Sequence, residues 1–355
     1  MKIKRSVFLL FLALGFLAGG LSGFTAELSD RAAEISRTEQ RSDLTRPTVK
    51  GQKRLSKQLD EKRKPKTFLE KLSFNYSALQ GYDRNARHNS QHKGSWFTDQ
   101  EFTAGFTDRP TDNFIYHVDY KMEYDFYYEF NYRTSFANAV NVRTAYKMNE
   151  SLFLETDYDL DIFRRPDFAE GDYNGHQVKI GLKHYLIARK LYHKLFYQFG
   201  VKDYPKFKAR DSSENETASD REDLTNRFGY EIGHYPAKNI LLRLRGQIGR
   251  NDSNDQLRDF YDYDFYQLTP TVSWRINKKA HWTGGFQYQR NEYDQRDFSG
   301  SANRENVYNI FGNFQYALTK SVEWIFYASY VKYDGDVPQL NFQDSILATG
   351  LQINF

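Results

Sequence analysis

From Leu72 to Phe355 the chain repeats one pattern: short stretches in which apolar and polar residues alternate at every second position. Successive side chains of an extended strand point to opposite faces, so each stretch carries one apolar and one polar face. The clearest sets Phe114, Tyr116, Val118, Tyr120, Met122 and Tyr124 against His117, Asp119, Lys121, Glu123 and Asp125. Another sets Leu152, Leu154, Tyr158, Leu160 and Ile162 against Glu155, Asp157, Asp159 and Asp161, and a third Ile240, Leu242, Leu244 and Ile248 against Arg243, Arg245 and Gln247. The pattern predicts fourteen strands between Leu72 and Phe355. One of them, Val322–Tyr333, is aromatic on both faces and is left without an orientation.

The connections alternate in length. Short turns fall near Arg109–Asp112, Asn149–Glu150, Ala188–Lys190, Pro236–Lys238, Asn277–Lys279 and Thr319–Ser321. Long loops are predicted at Arg84–Lys93, Arg164–Asn174, Lys206–Asp223, Asn251–Tyr263, Gln295–Arg304 and Asp334–Phe342, with a join lacking a clear turn residue at Phe126–Arg133. This alternation puts both ends of the strand array on the short-turn side. A sandwich core would have to bury Asp157, Asp159, Asp161, Arg243 and Arg245, each needing a desolvated partner. With the apolar faces in lipid and the polar faces around a wet lumen, the same strands are satisfied, and closure leaves no unpaired edge. The predicted fold is therefore all-β: a transmembrane antiparallel up-and-down β-barrel with a polar lumen. Fourteen strands about 4.8 Å apart and tilted about 40° give a backbone diameter of about 28 Å, and inward side chains narrow the passage to on the order of 15 Å. No repeated motif of fixed period favours a propeller or solenoid instead.

The N-terminus changes the picture in one respect. Lys2, Lys4 and Arg5 precede an apolar run, Val7–Leu17, and small residues follow. That order is a secretory signal peptide, assigned to residues 1–26, with Gly20 and Ala26 as alternative cleavage positions. The run is shorter than the roughly 20 residues a membrane-spanning helix needs. The mean hydropathy of −0.78 would exclude a helical membrane protein but not a barrel, in which alternate residues face lipid. Residues 27–66 carry twelve Lys/Arg against seven Asp/Glu and no aromatic residue. Such a composition does not order itself, and the segment reads as a flexible periplasmic tether, with folding into the barrel mouth as a plug left open. Because the whole chain is +4 and the signal region holds three basic residues, the body 67–355 is −4. The basic balance thus belongs to the N-terminal parts, and nucleic acid is not an expected partner. The chain has no cysteine, hence neither a lipid-anchored N-terminus nor disulfides.

The last strand places Leu347, Thr349, Leu351, Ile353 and Phe355 on one face and ends on the aromatic residue. It resembles the terminal strand of Gram-negative outer-membrane β-barrels, and the region 67–355 resembles that class, with the strand number of the fourteen-stranded porins. The resemblance implies residence in the bacterial outer membrane, contact with its lipid and lipopolysaccharide, and an assembly signal at Leu351, Ile353 and Phe355 read by the barrel-insertion machinery. It also implies that Leu72–Ala78 pairs with the terminal strand. The fatty-acid transporters share the strand number but have an apolar binding site, whereas the lumen predicted here is polar.

The expected pore-lining residues are Asp119, Lys121, Glu123, Arg143, Glu155, Asp157, Asp159, Asp161, Lys179, Lys183, Arg227, Glu231, Arg243 and Arg245. Glu155–Asp161 forms an acidic stripe, and Arg227, Arg243 and Arg245 a basic patch further round. Two readings stay open: facing walls of opposite charge that set a transverse field, or a salt-bridged wall that solvates the lumen. A turn pairing Lys147 with Ser151 would set Arg143 opposite Glu155. No catalytic residue, resident metal or cofactor is expected. His88-Asn89-Ser90 has the His-x-Ser spacing of the outer-membrane phospholipase but sits in a predicted loop, and His88 with His92 lacks further ligands. Asp252, Asp255, Asp259, Asp262 and Asp264 lack EF-hand spacing. Tyr261, Tyr263, Tyr293 and Phe298 are loop aromatics suited to glycans. The expected function is passive diffusion of ions or small hydrophilic solutes, with a weak cation preference. The alternative is a non-conducting or export-associated barrel, serving exopolysaccharide or surface-protein assembly through its loops and tether, with a cell-wall or periplasmic partner for the tether.

Overall fold

The computed structural model describes Leu59 and residues 67–86, 93–167, 169–187, 190–213, 215–256, 261–294, 303–336 and 341–355. Apart from Leu59, the predicted signal peptide and tether lie outside these residues. A single helical turn, α1 (Phe68–Lys71), leads into the sheet. The Thr67 N–H and hydroxyl both donate to the Glu70 carboxylate, at 2.7 and 3.0 Å. Fourteen strands follow: β1 (Leu72–Asp83), β2 (Ser95–Asp108), β3 (Phe114–Tyr127), β4 (Ser135–Lys147), β5 (Leu152–Arg164), β6 (Tyr173–Leu186) and β7 (Leu191–Arg210), then β8 (Glu216–Ala237), β9 (Ile240–Ser253), β10 (Tyr263–Arg275), β11 (Ala280–Tyr293), β12 (Asn303–Ala317), β13 (Val322–Gly335) and β14 (Phe342–Asn354). Each pairs antiparallel with its sequence neighbours and β14 pairs with β1, so the sheet is a closed up-and-down barrel. A strand of thirteen residues such as β5, at about 3.3 Å per residue and tilted about 40°, spans roughly 33 Å, enough to cross the hydrocarbon layer.

The closing seam lies where the terminal strand was expected to pair. Tyr76 stands opposite Ile353 and Ala78 opposite Leu351. The Phe355 N–H donates to the Phe74 carbonyl at 3.0 Å, which fixes the last residue at the short-turn rim. The barrel is inside-out relative to a water-soluble protein. Leu195, Leu244, Ile248, Ile310 and Leu347 are exposed on the outer face, whereas Lys183, Gln287 and Gln315 on the inner face are only 1% exposed. Outward aromatics gather towards strand ends, as in the Tyr82–Trp96 pair at one rim and Phe314–Trp324 near the other, with ring centroids 5.3 and 6.1 Å apart. Such rings suit the membrane interfaces. The strand left without orientation, β13, points Trp324 and Phe326 outward and Glu323 and Ile325 inward. Trp324 keeps its indole N–H satisfied by donating to the Thr349 hydroxyl at 2.7 Å.

The structure corrects two expectations. The predicted long loop Lys206–Asp223 is mostly strand, because β7 and β8 run on to Arg210 and from Glu216 as a hairpin beyond the barrel wall. Register shifts between Tyr204 and Arg210 bend it. Its sequence hid the strands because, beyond the lipid, no apolar face is needed. Lys208 instead pairs with Asp220 at 2.6 Å, and Lys206 with Asp172 at 3.0 Å. At the hairpin tip the Asp211 carboxylate accepts the Asn215 and Ser213 N–H groups, which hold its pKa below the usual value. The second correction concerns the β4–β5 turn. Lys147 stands opposite Phe153, not Ser151, because the Asn149 side chain accepts the N–H groups of Ser151 and Leu152 and closes a longer turn. The register therefore moves by two residues, and Asp157, not Glu155, stands opposite Arg143.

Leu244 lies midway along the outer face of β9, 43% exposed. Leu244→Arg is expected to lower the free energy of folding into lipid bilayers by about 2–4 kcal/mol, the cost of a cation near the midplane. Urea titration of the barrel refolded into vesicles measures this, and an unchanged midpoint would contradict a lipid-facing Leu244.

Candidate functional site: the inner wall

Alternation along each strand sends the fourteen expected pore-lining residues to the inner face. Among them Asp119, Glu123, Lys183, Arg227 and Glu231 are buried there. They do not form facing walls. Residues Asp119–Glu123 lie on β3, Arg143 on β4, Glu155–Asp161 on β5, Lys179 and Lys183 on β6, Arg227 and Glu231 on β8, and Arg243 and Arg245 on β9. The whole set lies on six of the seven strands β3–β9, about half the circumference, with opposite charges close along the wall. The transverse field therefore gives way to a salt-bridged arc, as strand adjacency dictates.

Each cluster in this arc is built across strands. Asp119 accepts the Arg143 guanidinium at 2.7 Å and faces the His117 Nε2 at 3.1 Å. The other ring nitrogen of His117 lies 2.7 Å from the Thr107 hydroxyl. Glu155 takes Lys194 at 2.7 Å and Lys183 at 3.6 Å. The Lys183 ammonium also lies over the rings of Tyr185 and Tyr192, at 4.8 and 4.7 Å from their centroids. Cation–π attraction of this kind is strongest where water is excluded. Glu231 accepts Arg245 at 3.1 Å and the Tyr192 hydroxyl at 2.7 Å, with Arg243 at 4.0 Å. Glu231 thus pairs with two of the three arginines of the predicted basic patch. Arg227 places its guanidinium 5.1 Å from the Phe265 ring centre. Asp159 is held by the side-chain amides of Asn141 and Gln177. Asp99, Glu123 and Asp125 bring carboxylate oxygens within 4.8 Å of one another on β2 and β3. Lys121 stands 3.8 Å from Glu123, and Ser135 donates to Asp125 at 3.3 Å.

The arc on β9–β12 has another chemistry. Gln247, Gln267, Gln287, Gln289, Asn291 and Asn309 point inward, and Gln247 donates to Gln267 while Gln289 donates to Asn291 at 2.8 Å. This amide wall was visible only as polar positions, since its significance needs the neighbouring strands. Bulky inward rings lie across glycines of adjacent strands. Phe196 covers Gly229 and Tyr192 covers Gly233 so closely that a Cβ at either glycine would overlap the ring.

Other candidate groups fare differently. His88-Asn89-Ser90, His92, Asp259 and Phe298 lie outside the described residues. Asp252 and Asp264 both pair with Arg250, at 2.6 and 3.7 Å, Asp255 with Arg210 at 3.2 Å, and Asp262 accepts the Ser253 N–H at 2.6 Å. Tyr261 and Tyr263 are not exposed glycan platforms: they are 1% and 0% exposed. Tyr261 stacks 3.3 Å from the Arg221 guanidinium, which Tyr204 flanks at 4.3 Å, and Tyr263 packs on Tyr293 at 5.0 Å.

An apolar outer surface around a closed sheet and a polar inner wall define this chain as a transmembrane β-barrel. No protein-family model and no curated protein matches it. Similar solved structures include OmpT, an outer membrane protein of Vibrio cholerae, at 10% identity and a TM-score of 0.45, covering 80% of this chain and 97% of that one. The CymD monoaromatic hydrocarbon channel aligns at 10% identity and a TM-score of 0.46, over 80% of this chain and 88% of that one. The translocator domain of the autotransporter NalP from Neisseria meningitidis aligns at 9% identity and a TM-score of 0.36, over 92% and 98%. At this distance the likenesses assign no task to the chain.

Lys183 supplies a stability test of the inner wall. Glu155→Gln removes a countercharge from an ammonium that is 1% exposed, and is expected to cost about 3–5 kcal/mol. Glu155→Gln combined with Lys183→Met should recover part of the loss, since Lys194 still lacks its carboxylate. Unfolding midpoints of the three proteins in one detergent measure the effect, and a single variant as stable as the parent would mean that Lys183 is hydrated.

Proposed function

We propose that the barrel is a passive channel for ions and small hydrophilic solutes. The observation that carries this reading is the polar inner wall, charged over β3–β9 and amide-lined over β9–β12, inside an apolar shell. An apolar ligand or a structural core requires no such wall. Wall charges and amide dipoles replace part of a solute's hydration and set ion preference. The carboxylates Asp99, Glu123, Asp125, Asp157, Asp159 and Asp161, together with the −4 of the body, support a weak preference for cations. The reading includes insertion through the Leu351, Ile353 and Phe355 signal. It also includes contact with lipopolysaccharide headgroups through outward Arg250, Arg290, Arg304 and Lys332, which lie beyond the apolar belt.

A second reading, a non-conducting or export-associated barrel, has its own support. Inward side chains such as Lys183, Gln287, Gln315 and Gln352 are at most 2% exposed, less than a wide water-filled pore would leave them. Planar-bilayer recording of the purified protein separates the two. The channel reading expects discrete openings and a reversal potential of cationic sign under a salt gradient. Asp157→Asn with Asp161→Asn should move that potential towards zero. Anion preference would refute the selectivity, and silence from both the full chain and a chain lacking residues 27–66 would leave the second reading.

A further inference from the structure

The inner face breaks its own polarity rule at the short-turn mouth. There the inward positions of seven consecutive strands are aliphatic or aromatic: Ile115 on β3, Ala145 on β4, Phe153 on β5, Tyr185 on β6, Tyr192 on β7, Tyr235 on β8 and Leu241 on β9. Lipid does not require this, because these side chains face away from it. Water does not favour it either, because a wet mouth would leave an apolar arc uncovered. Yet Ala145, Phe153 and Tyr192 are 0% exposed. The same cluster contains Leu59, 3% exposed, which precedes β1 by thirteen positions and comes from the hydrophilic N-terminal segment. Its backbone is held as well. Arg109, in the β2–β3 turn at the same rim, donates from Nη2 to the Leu59 carbonyl at 3.1 Å and to the Asp112 carbonyl at 2.8 Å.

We infer that the N-terminal segment is an intrachain ligand of the barrel: Leu59 docks on the apolar arc, Arg109 clamps its carbonyl, and the docked residue narrows the periplasmic mouth. The occupant is the chain's own because Leu59 is already seated among the arc residues. A segment otherwise rich in Lys, Arg, Asp and Glu has one apolar side chain where the arc needs it. The narrowing rests on the channel reading above, whereas the docking does not.

The chain contains no cysteine, so disulfide trapping has no background. Leu59→Cys is paired in turn with Ile115→Cys and with Ala145→Cys, and as a control with Val142→Cys on the outer face of β4. Oxidation of the full-length chain in outer-membrane vesicles should give a reducible crosslink with at least one inner partner and none with Val142→Cys. Absence of both inner crosslinks in protein that still shows heat-modifiable migration would overturn the docking. Single-channel recording then reads the consequence: Leu59→Asp should raise conductance over the parent, and equal conductance would overturn the narrowing. If no form conducts while the crosslink forms, the docking stands and the channel reading falls.

Discussion

Every backbone amide in a bilayer must find its partner within the protein. Hydrocarbon offers none, and each unsatisfied group costs several kcal/mol. A sheet meets this demand only by closing, and the β1–β14 seam is where this chain does so. The rest follows from closure. An edge-free sheet in lipid has apolar residues outside, so the period-two pattern appears with inverted sense. The strands must be long enough to cross. Both ends of the sheet must reach the same rim, which the Phe355 N–H contact with Phe74 achieves.

Closure also dictates how the inner wall handles charge. Side chains on neighbouring strands stand about 5 Å apart on one face, while those across the lumen are several times farther away. Charges are therefore neutralised along the wall: Asp119 by Arg143 from the next strand, Glu231 by Arg245, and Glu155 by Lys183 and Lys194. A field across the lumen would need separated blocks of charge. The sequence brings positive and negative residues onto adjacent strands, so the wall keeps only a residual potential. On the amide arc some polar groups pair with one another, as Gln289 does with Asn291.

Strand number, facing and closure were legible in the sequence because one physical rule, apolar to lipid, acts on every second residue. Where that rule is silent, so was the sequence. The hairpin Tyr204–Arg221 stands clear of lipid: Lys206, Lys208 and Arg210 stand where a lipid-facing strand would be apolar, and Glu216–Asp220 has no apolar alternation, so it was not marked as strand. The β4–β5 register depended on the Asn149 side chain capping the turn, a local choice that a count of turn residues misses by two positions. Which carboxylate meets which cation depended on that register. Tyr261 looked like a loop aromatic open to ligands, and its burial against Arg221 rests on a contact with a strand distant in sequence. Strand β13 could not be oriented because both faces carry rings. Only the position of Glu323 and Ile325 inside the closed sheet decides it.

The inner face is the part of the molecule on which the bilayer places no demand. Apolar residues on it therefore report something other than insertion. They cluster at both ends: Ile115, Phe153 and Tyr192 with Leu59 at the short-turn mouth, Phe97, Tyr127 and Phe130 in one group and Phe163, Tyr173 and Tyr204 in another at the long-loop end. The charged and amide-bearing middle lies between these collars. On the channel reading proposed above, a hydrophilic solute gains its contacts in the middle and loses hydration at the ends, so the collars set the barrier and the middle sets the preference. Selectivity and access are then carried by different residues. On that reading an inner carboxylate bears on which ion is favoured, whereas Leu59 and its seat bear on how often anything enters.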